Sequence, residues 1–103
     1  KMLLPYIEKF PEGYSEGFYK GVKYGITKTV FNQGHSFKIY AKELCGTNFI
    51  SLNYYLTGKN ELLKPCEMPE EKVIDFLKYV ELNSYYNIIE VALIQKKILL
   101  KPY

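Results

Sequence analysis

Two strands and the turn between them are encoded in residues 37–56, FKIYAKELCGTNFISLNYYL. In the first half, apolar and polar side chains alternate strictly, with Phe37, Ile39 and Ala41 against Lys38, Tyr40 and Lys42. The second half repeats this period, with Ile50, Leu52, Tyr54 and Leu56 against Ser51, Asn53 and Tyr55. Because successive side chains of a strand point to opposite faces, the pattern predicts two strands that each have one buried and one solvent-exposed face.

The same period continues towards both ends of the chain. Residues 22–30 alternate in the same way, except that Lys28 falls on the apolar side. Lys20 and Gly21 are typical of a tight hairpin to a strand before them. Residues 62–64 make a short strand, which Pro65 confines to an edge or a terminus of the sheet. The sheet is therefore expected to span residues from about 14 to 67.

Helices are predicted in the sequence before and after the strands of this sheet. Pro69 suits a first helical position, and the acidic residues that follow complement the positive end of the helix dipole. An apolar stripe at helical spacing comprises Val73, Phe76, Leu77 and Val80. Residues 5–10 predict a short N-terminal helix. The predicted fold class is α+β, an antiparallel four- to five-stranded sheet packed by one amphipathic helix in the C-terminal half.

The length of 103 residues, with 48% hydrophobic residues, predicts a single domain over residues 1–103 with a core in 12–82. For the tail, residues 83–103, a terminal hairpin is favoured, although the apolar run 88–94 fits a buried helix as well. Tyr85, Tyr86 and this apolar tail also predict a contact with a second copy of the chain, and hence a homodimer.

The cysteines and the hydropathy pattern bound the location. No apolar run approaches the ~18 residues of a membrane span, and the start lacks the apolar core of a signal peptide. Cys45 and Cys66 form no C-x-x-C, and with His35 alone they make no zinc site. We therefore expect a cytosolic protein with no membrane association, no metal and no cofactor.

Charge is divided between the two parts of the fold. Residues 20–64 carry seven lysines against Glu43 and Glu61, whereas residues 65–90 carry two lysines against six acids. The sheet is basic and the helix is acidic.

The sheet face away from the helix is expected to display basic, polar and aromatic groups: Lys23, Thr27, Thr29, Lys38, Tyr40, Lys42, Ser51, Asn53 and Tyr55. Lysines neutralise phosphates and aromatic rings stack on bases, as in single-stranded nucleic-acid sites. The candidate nucleic-acid-binding residues are Lys23, Lys38, Tyr40, Lys42, Asn53 and Tyr55. The alternative is the ordinary wet face of an antiparallel sheet. The absence of arginine argues against sequence-specific base readout.

A thiol reaction is a second hypothesis. Cys66 precedes a predicted helix N-terminus and follows Lys64, and both features lower a thiol pKa. Cys45 is a candidate resolving thiol in the turn at Gly46. Against this, cysteine is commonly a buried structural residue, and no histidine is fixed beside Cys66.

Several segments resemble a family of short bacterial proteins often labelled peptide methionine sulfoxide reductase. The resemblance covers roughly residues 5–82 and is carried by residues 10–17 (FPEGYSEG), 24–26 (YGI), 40–44 (YAKEL), 48–55 (NFISLNYY) and 63–69 (LKPCEMP). It implies thiol-dependent reduction of methionine sulfoxide, with Cys66 as the catalytic nucleophile.

The order of elements, four strands and then a helix with a basic sheet face, is similar to single-strand-binding domains of the Whirly and transcriptional-coactivator type, which work as dimers. That likeness is one of pattern. Three hypotheses follow: a non-catalytic binding module for single-stranded nucleic acid, a thiol enzyme using Cys66, and a structural or protein-interaction dimer.

Overall fold

The computed structural model describes residues 2–83, which form one six-stranded antiparallel sheet with two helices on one face. The elements in chain order are α1 (Leu4–Glu8), β1 (Gly13–Tyr19), β2 (Val22–Phe31), a 3-10 turn (Asn32–Gly34), β3 (Ser36–Glu43), β4 (Phe49–Thr57), β5 (Asn60–Pro65), α2 (Glu70–Tyr79) and β6 (Glu81–Leu82). The strand order is β5-β4-β3-β2-β1-β6. The predicted α+β class is confirmed.

Strands β1 to β5 form a meander in which each strand pairs with the next. The β1–β2 turn consists of Lys20 and Gly21, whose φ angles are 52° and 76°. Positive φ at both central residues is the condition for the two-residue turn that matches the twist of paired strands. The tight hairpin expected at this position is confirmed.

The sheet has six strands, at least one more than the four to five predicted, because α2 ends earlier than its apolar stripe suggested. Val80 leaves the helix with a ψ of 134°, and Glu81–Leu82 then pairs with β1 at Gly17 and Phe18. A Cβ on Gly17 would lie 2.8 Å from the Glu81 carbonyl oxygen, so this approach requires glycine. Val80 is buried as expected, but from an extended connection. A two-residue strand carries no periodicity by which the sequence could reveal it.

The core lies between the sheet and the helices. Buried side chains of β2, β3 and β4 meet α2 at Val73, Phe76 and Leu77, while α1 contributes Ile7 and the segment just after it contributes Phe10. The alternation in β3 and β4 is confirmed, since Ile39, Ala41, Ile50, Leu52 and Tyr54 are fully buried. Rings of Tyr19, Tyr24 and Phe76 pack edge to face, with centroids 5.1–6.0 Å apart. Among residues 2–83, this packing leaves the other face of the sheet without a helix.

Lys28, the exception to the apolar pattern of β2, has a structural partner in α1. Its ammonium donates to the carbonyl oxygens of Ile7 at 3.1 Å and Phe10 at 2.9 Å, and lies 5.2 Å from the Phe37 ring centroid. Ile7 is in the last turn of α1 and Phe10 lies just beyond its end, where carbonyl groups have few backbone donors. The Ile7 carbonyl also accepts a long hydrogen bond from the Phe10 N–H at 3.4 Å. Burial lowers the pKa of Lys28. The lysine thus joins the short helix to the inner face of the sheet.

Glu61 on β5 similarly connects the sheet to the beginning of the chain through hydrogen bonds. Its carboxylate accepts from the Tyr54 hydroxyl at 2.7 Å and from the Leu3 backbone N–H at 3.0 and 3.1 Å. Burial acts to raise the pKa of Glu61, but these donors outweigh it and hold the pKa below its ordinary 4.5. The carboxylate therefore stabilises the fold in its ionised form.

We expect Glu61 to make the protein sensitive to acid. Its folded pKa is depressed, so the unfolded state binds more protons, and stability falls as pH drops through about 4.5 and below. Urea unfolding between about pH 3 and pH 7 measures this. Glu61→Gln should lower stability at neutral pH and flatten the acid dependence, whereas Glu67→Gln, at an exposed position, should leave both unchanged. An undiminished acid slope in Glu61→Gln would contradict the assignment.

Neither described helix is long and apolar enough to cross a membrane. The terminal hairpin expected in the tail lies outside the described residues, and so does the homodimer contact through Tyr85 and Tyr86.

Candidate nucleic-acid interface

The side of the sheet opposite the helices, called the outer face here, is organised in rows that run across the strands. Strand register places Lys38 beside Thr29 on β2 and Asn53 on β4, and Asn53 beside Lys64 on β5. With neighbouring strands about 4.8 Å apart, the two lysines of this row stand about 10 Å from each other at the backbone. Asn53 lies between them, so the row combines two cations with an amide.

Rows of rings flank this basic row. On one side, Phe31, Ser36, Tyr55 and Leu62 are in register across four strands. On the other side, Tyr40 lies between Thr27 and Ser51, and Lys42 pairs with Phe49 one row further. The Tyr40 and Phe49 ring centroids are 6.1 Å apart. Since rows are two residues apart, about 7 Å, rings and lysines alternate along the strands.

A shallow groove runs along one end of the outer face. It has a volume of about 360 Å³ and is lined by Phe31, Asn32, Ser36, Phe37, Lys38, Asn53 and Tyr55. Phe31 is 49% exposed, so its ring is open to a ligand. The groove therefore offers an exposed ring, a second ring at Tyr55, a cation and two amides within one concave surface.

The charges of the outer face are only partly neutralised. Lys23 pairs with Glu16 at 3.2 Å. A hydrogen bond from the Tyr14 hydroxyl, and then Lys23, holds the pKa of Glu16 below its ordinary value. Within residues 2–83, Lys38, Lys42 and Lys64 take part in no ion pair. The face therefore presents three unmatched cations on β3 and β5, whereas the charge of Lys23 is already balanced.

Five of the six residues singled out for binding lie together on this face, on neighbouring strands: Lys38, Tyr40, Lys42, Asn53 and Tyr55. The sixth, Lys23, lies at the margin beside β1. Their role in binding stays a prediction.

Phe31, Phe49 and Lys64 share the face but were not among the sequence candidates. The period of β4 continues to Phe49 and would have identified it, whereas Phe31 and Lys64 stand at strand ends where the pattern weakens.

Cys66 lies at the edge of the outer face. Its N–H donates to the Ser51 carbonyl at 2.9 Å, and its Sγ accepts from the Asn53 amide at 3.6 Å. His35 is bonded to its own turn, and its carbonyl accepts from Leu56, five residues along β4 from Ser51. Five strand residues span about 16 Å, so His35 does not reach the thiol.

The hypothesis of a catalytic Cys66 stays a prediction, and His35 does not serve as its base. The chain has no tryptophan, so it also lacks the Gly-Cys-Phe-Trp motif of the reductases proper. Cys45 is free and exposed in the β3–β4 connection. No group of three or more His, Cys, Asp or Glu that could hold a metal ion occurs in the part of the chain that the structure describes.

Comparison of the chain with protein-family models, with curated proteins and with solved structures found no match. The function is therefore inferred from the geometry of the outer face and its charge.

Proposed function

We propose that this protein is a non-catalytic module that binds single-stranded nucleic acid on its outer face. The observation that supports the proposal best is the alternation of ring rows and lysine rows on β3, β4 and β5. A single strand exposes both its phosphates and the faces of its bases. Lysines neutralise the phosphates, and each base that stacks on an aromatic ring contributes ~1–3 kcal/mol to binding.

The shape of the face favours a single strand over a duplex. Five strands side by side span about 20 Å, which is too broad for a major groove about 12 Å wide. An open sheet face lets bases lie on its rings instead, with the nucleic-acid backbone following the lysines. We place this activity in a reducing, cytosolic compartment, in line with two free cysteines.

Binding should depend little on base sequence. The face offers lysines and rings, and the chain has no arginine for the bidentate contacts that most often read guanine. Lys38, Lys42 and Lys64 contact phosphates in this proposal, while Phe31, Tyr40, Phe49 and Tyr55 provide surfaces for bases. Asn32 and Asn53 supply hydrogen bonds inside the groove.

The proposal is tested by titrating fluorescein-labelled oligothymidylate with the protein and following anisotropy at several salt concentrations. With three lysines on phosphates, the logarithm of the binding constant should fall against the logarithm of salt with a slope of about −2. A duplex of equal length is the matched ligand and should bind more weakly. If no anisotropy change is seen even at about 50 mM salt, the proposal is wrong.

A further inference from the structure

A second cleft lies at one end of the sheet, on the side of the helices and away from the outer face. It is formed where the β1–β2 turn, the β3–β4 connection and the first half of α2 meet. Its volume is about 510 Å³, and its walls are Tyr19, Lys20, Val22, Tyr24, Glu43, Asn48 and Lys72. All of these side chains except Val22 carry a charge or make a side-chain hydrogen bond, so the cleft differs from the apolar core beneath it.

A directed chain of hydrogen bonds crosses this cleft. Lys72 donates its ammonium to Asn48 Oδ1 at 2.8 Å, and Asn48 Nδ2 donates to the Tyr24 hydroxyl at 2.8 Å. The Tyr24 hydroxyl donates in turn towards Glu43 Oε1, at the longer distance of 3.5 Å. A cation therefore stands at one end of the chain and an anion at the other, held apart by an amide and a hydroxyl.

Within the described part of the chain, neither charged end has an ionic partner. Asp75, at the lip of the cleft, accepts from the Tyr19 hydroxyl and lies 4.0 Å from Lys20. Across residues 2–83, Lys72 and Glu43 form no ion pair with each other or with any other described group. Lys72 has three donors and uses one on Asn48, and Glu43 receives one long contact. Both have spare hydrogen-bonding capacity directed at a common space.

We propose that this cleft binds a small zwitterion of the short-peptide type, with its carboxylate on Lys72 and its ammonium on Glu43. A charge-assisted hydrogen bond at each end matches the polarity of the Lys72–Asn48–Tyr24–Glu43 chain. A ligand with only one charge leaves one end unmatched. The exposed side chain of Val22 contacts the uncharged middle of such a ligand.

Two features maintain the charges of the cleft: the tyrosine hydroxyls stay neutral, and the Glu43 carboxylate has room beside Gly46. Burial, followed by the hydrogen bond to Asp75, raises the pKa of Tyr19 to about 12, and burial raises that of Tyr24, so both hydroxyls remain neutral. Gly46 gives the Glu43 carboxylate its room, since a Cβ there would lie 1.8 Å from Glu43 Oε2. A bulkier residue would displace the anion from the cleft.

The test is a titration of the whole chain with alanyl-alanine, followed by amide chemical shifts in NMR spectra. Shifts should concentrate at Tyr24, Glu43, Asn48 and Lys72. The N-acetylated and the C-amidated dipeptides each lack one charge, and both should bind at least about tenfold more weakly. These ligand pairs test the proposal on the unmodified protein, independently of any folding defect in a variant.

Glu43→Gln and Lys72→Met should each weaken alanyl-alanine by at least about tenfold. The matched variants Glu12→Gln and Lys59→Met lie at the other end of the sheet and should leave the affinity unchanged. Absence of shifts at about 10 mM dipeptide overturns the proposal. Equal affinity for the dipeptide and both capped forms also overturns it. Because the cleft and the outer face are on opposite sides, oligonucleotide binding stands or fails separately.

Discussion

Reversing two charges together, Lys38→Glu with Lys42→Glu, is expected to weaken oligothymidylate binding by at least about a hundredfold at low salt. Both side chains are exposed on β3, and neither has an ionic partner in the described ranges. The substitutions remove two phosphate contacts and place two anions in the path of the backbone. Loss of two contacts should also make the salt slope shallower by roughly 1.4. Fluorescence anisotropy over a salt series measures both changes.

The matched control is Lys59→Glu with Lys78→Glu. It changes the net charge of the protein by the same amount, but Lys59 lies in the β4–β5 turn and Lys78 on α2, away from the outer face. A local site predicts near wild-type affinity for this control. If the control loses as much affinity as the β3 variant, binding follows net charge alone and the outer face is not the site. Thermal unfolding checks that both variants fold.

The outer face was largely predictable because it follows from a single local rule. In β3 and β4, side chains two residues apart share a face, so residues 37–56 alone place Lys38, Tyr40 and Lys42 opposite the core. Pairing of β3 with β4 then brings Asn53 next to Lys38. Lys23 shows the limit of that rule. Its face was predictable, but its pairing with Glu16 depends on a neighbouring strand and on side-chain geometry.

The cleft could not be predicted from sequence patterns. It joins residues that are far apart in the chain, such as Tyr24 with Asn48 and Asn48 with Lys72. None of these side chains interrupts its local pattern, so no signal marks them. They meet because α2 crosses the sheet near the β3–β4 connection, and the crossing position is set by packing of Phe76 against Tyr19 and Tyr24. Such convergence is a property of the tertiary fold.

Lys28 was visible in the sequence as a cation on the apolar face of β2. The sequence pattern did not indicate which group it would contact. The partner is α1, whose position depends on burial of Ile7 and Phe10. A five-residue helix is too short to be stable alone in water. Its docking therefore relies on those apolar contacts and on the lysine that donates to the Ile7 and Phe10 carbonyls.

Replacing Lys28 with alanine is expected to lower the free energy of unfolding by about 3 kcal/mol, a large share of the stability of a small domain. The change removes the ammonium bonds to Ile7 and Phe10 and the buried part of the stem. Each buried acceptor left without a donor costs ~1–3 kcal/mol. Urea unfolding measures the loss, and Lys59→Ala, at an exposed turn position, should change stability by less than about 0.5 kcal/mol.

Lys28→Met separates the ammonium from the stem, since methionine retains most of the apolar chain and has no donor. Its stability should lie between those of the wild type and Lys28→Ala, because both variants lose the ammonium bonds to the Ile7 and Phe10 carbonyls but only Lys28→Ala also loses the stem. The Ile7 carbonyl keeps its long bond from the Phe10 N–H in both variants. Amide exchange should then accelerate at Ile7 and Phe10, whose N–H groups donate to the carbonyls of Leu3 and Ile7 at the two ends of α1. Oligothymidylate affinity should be retained, because Lys28 is on the inner face. A Lys28→Met protein as stable as the wild type would show that these hydrogen bonds only offset the cost of burying the charge.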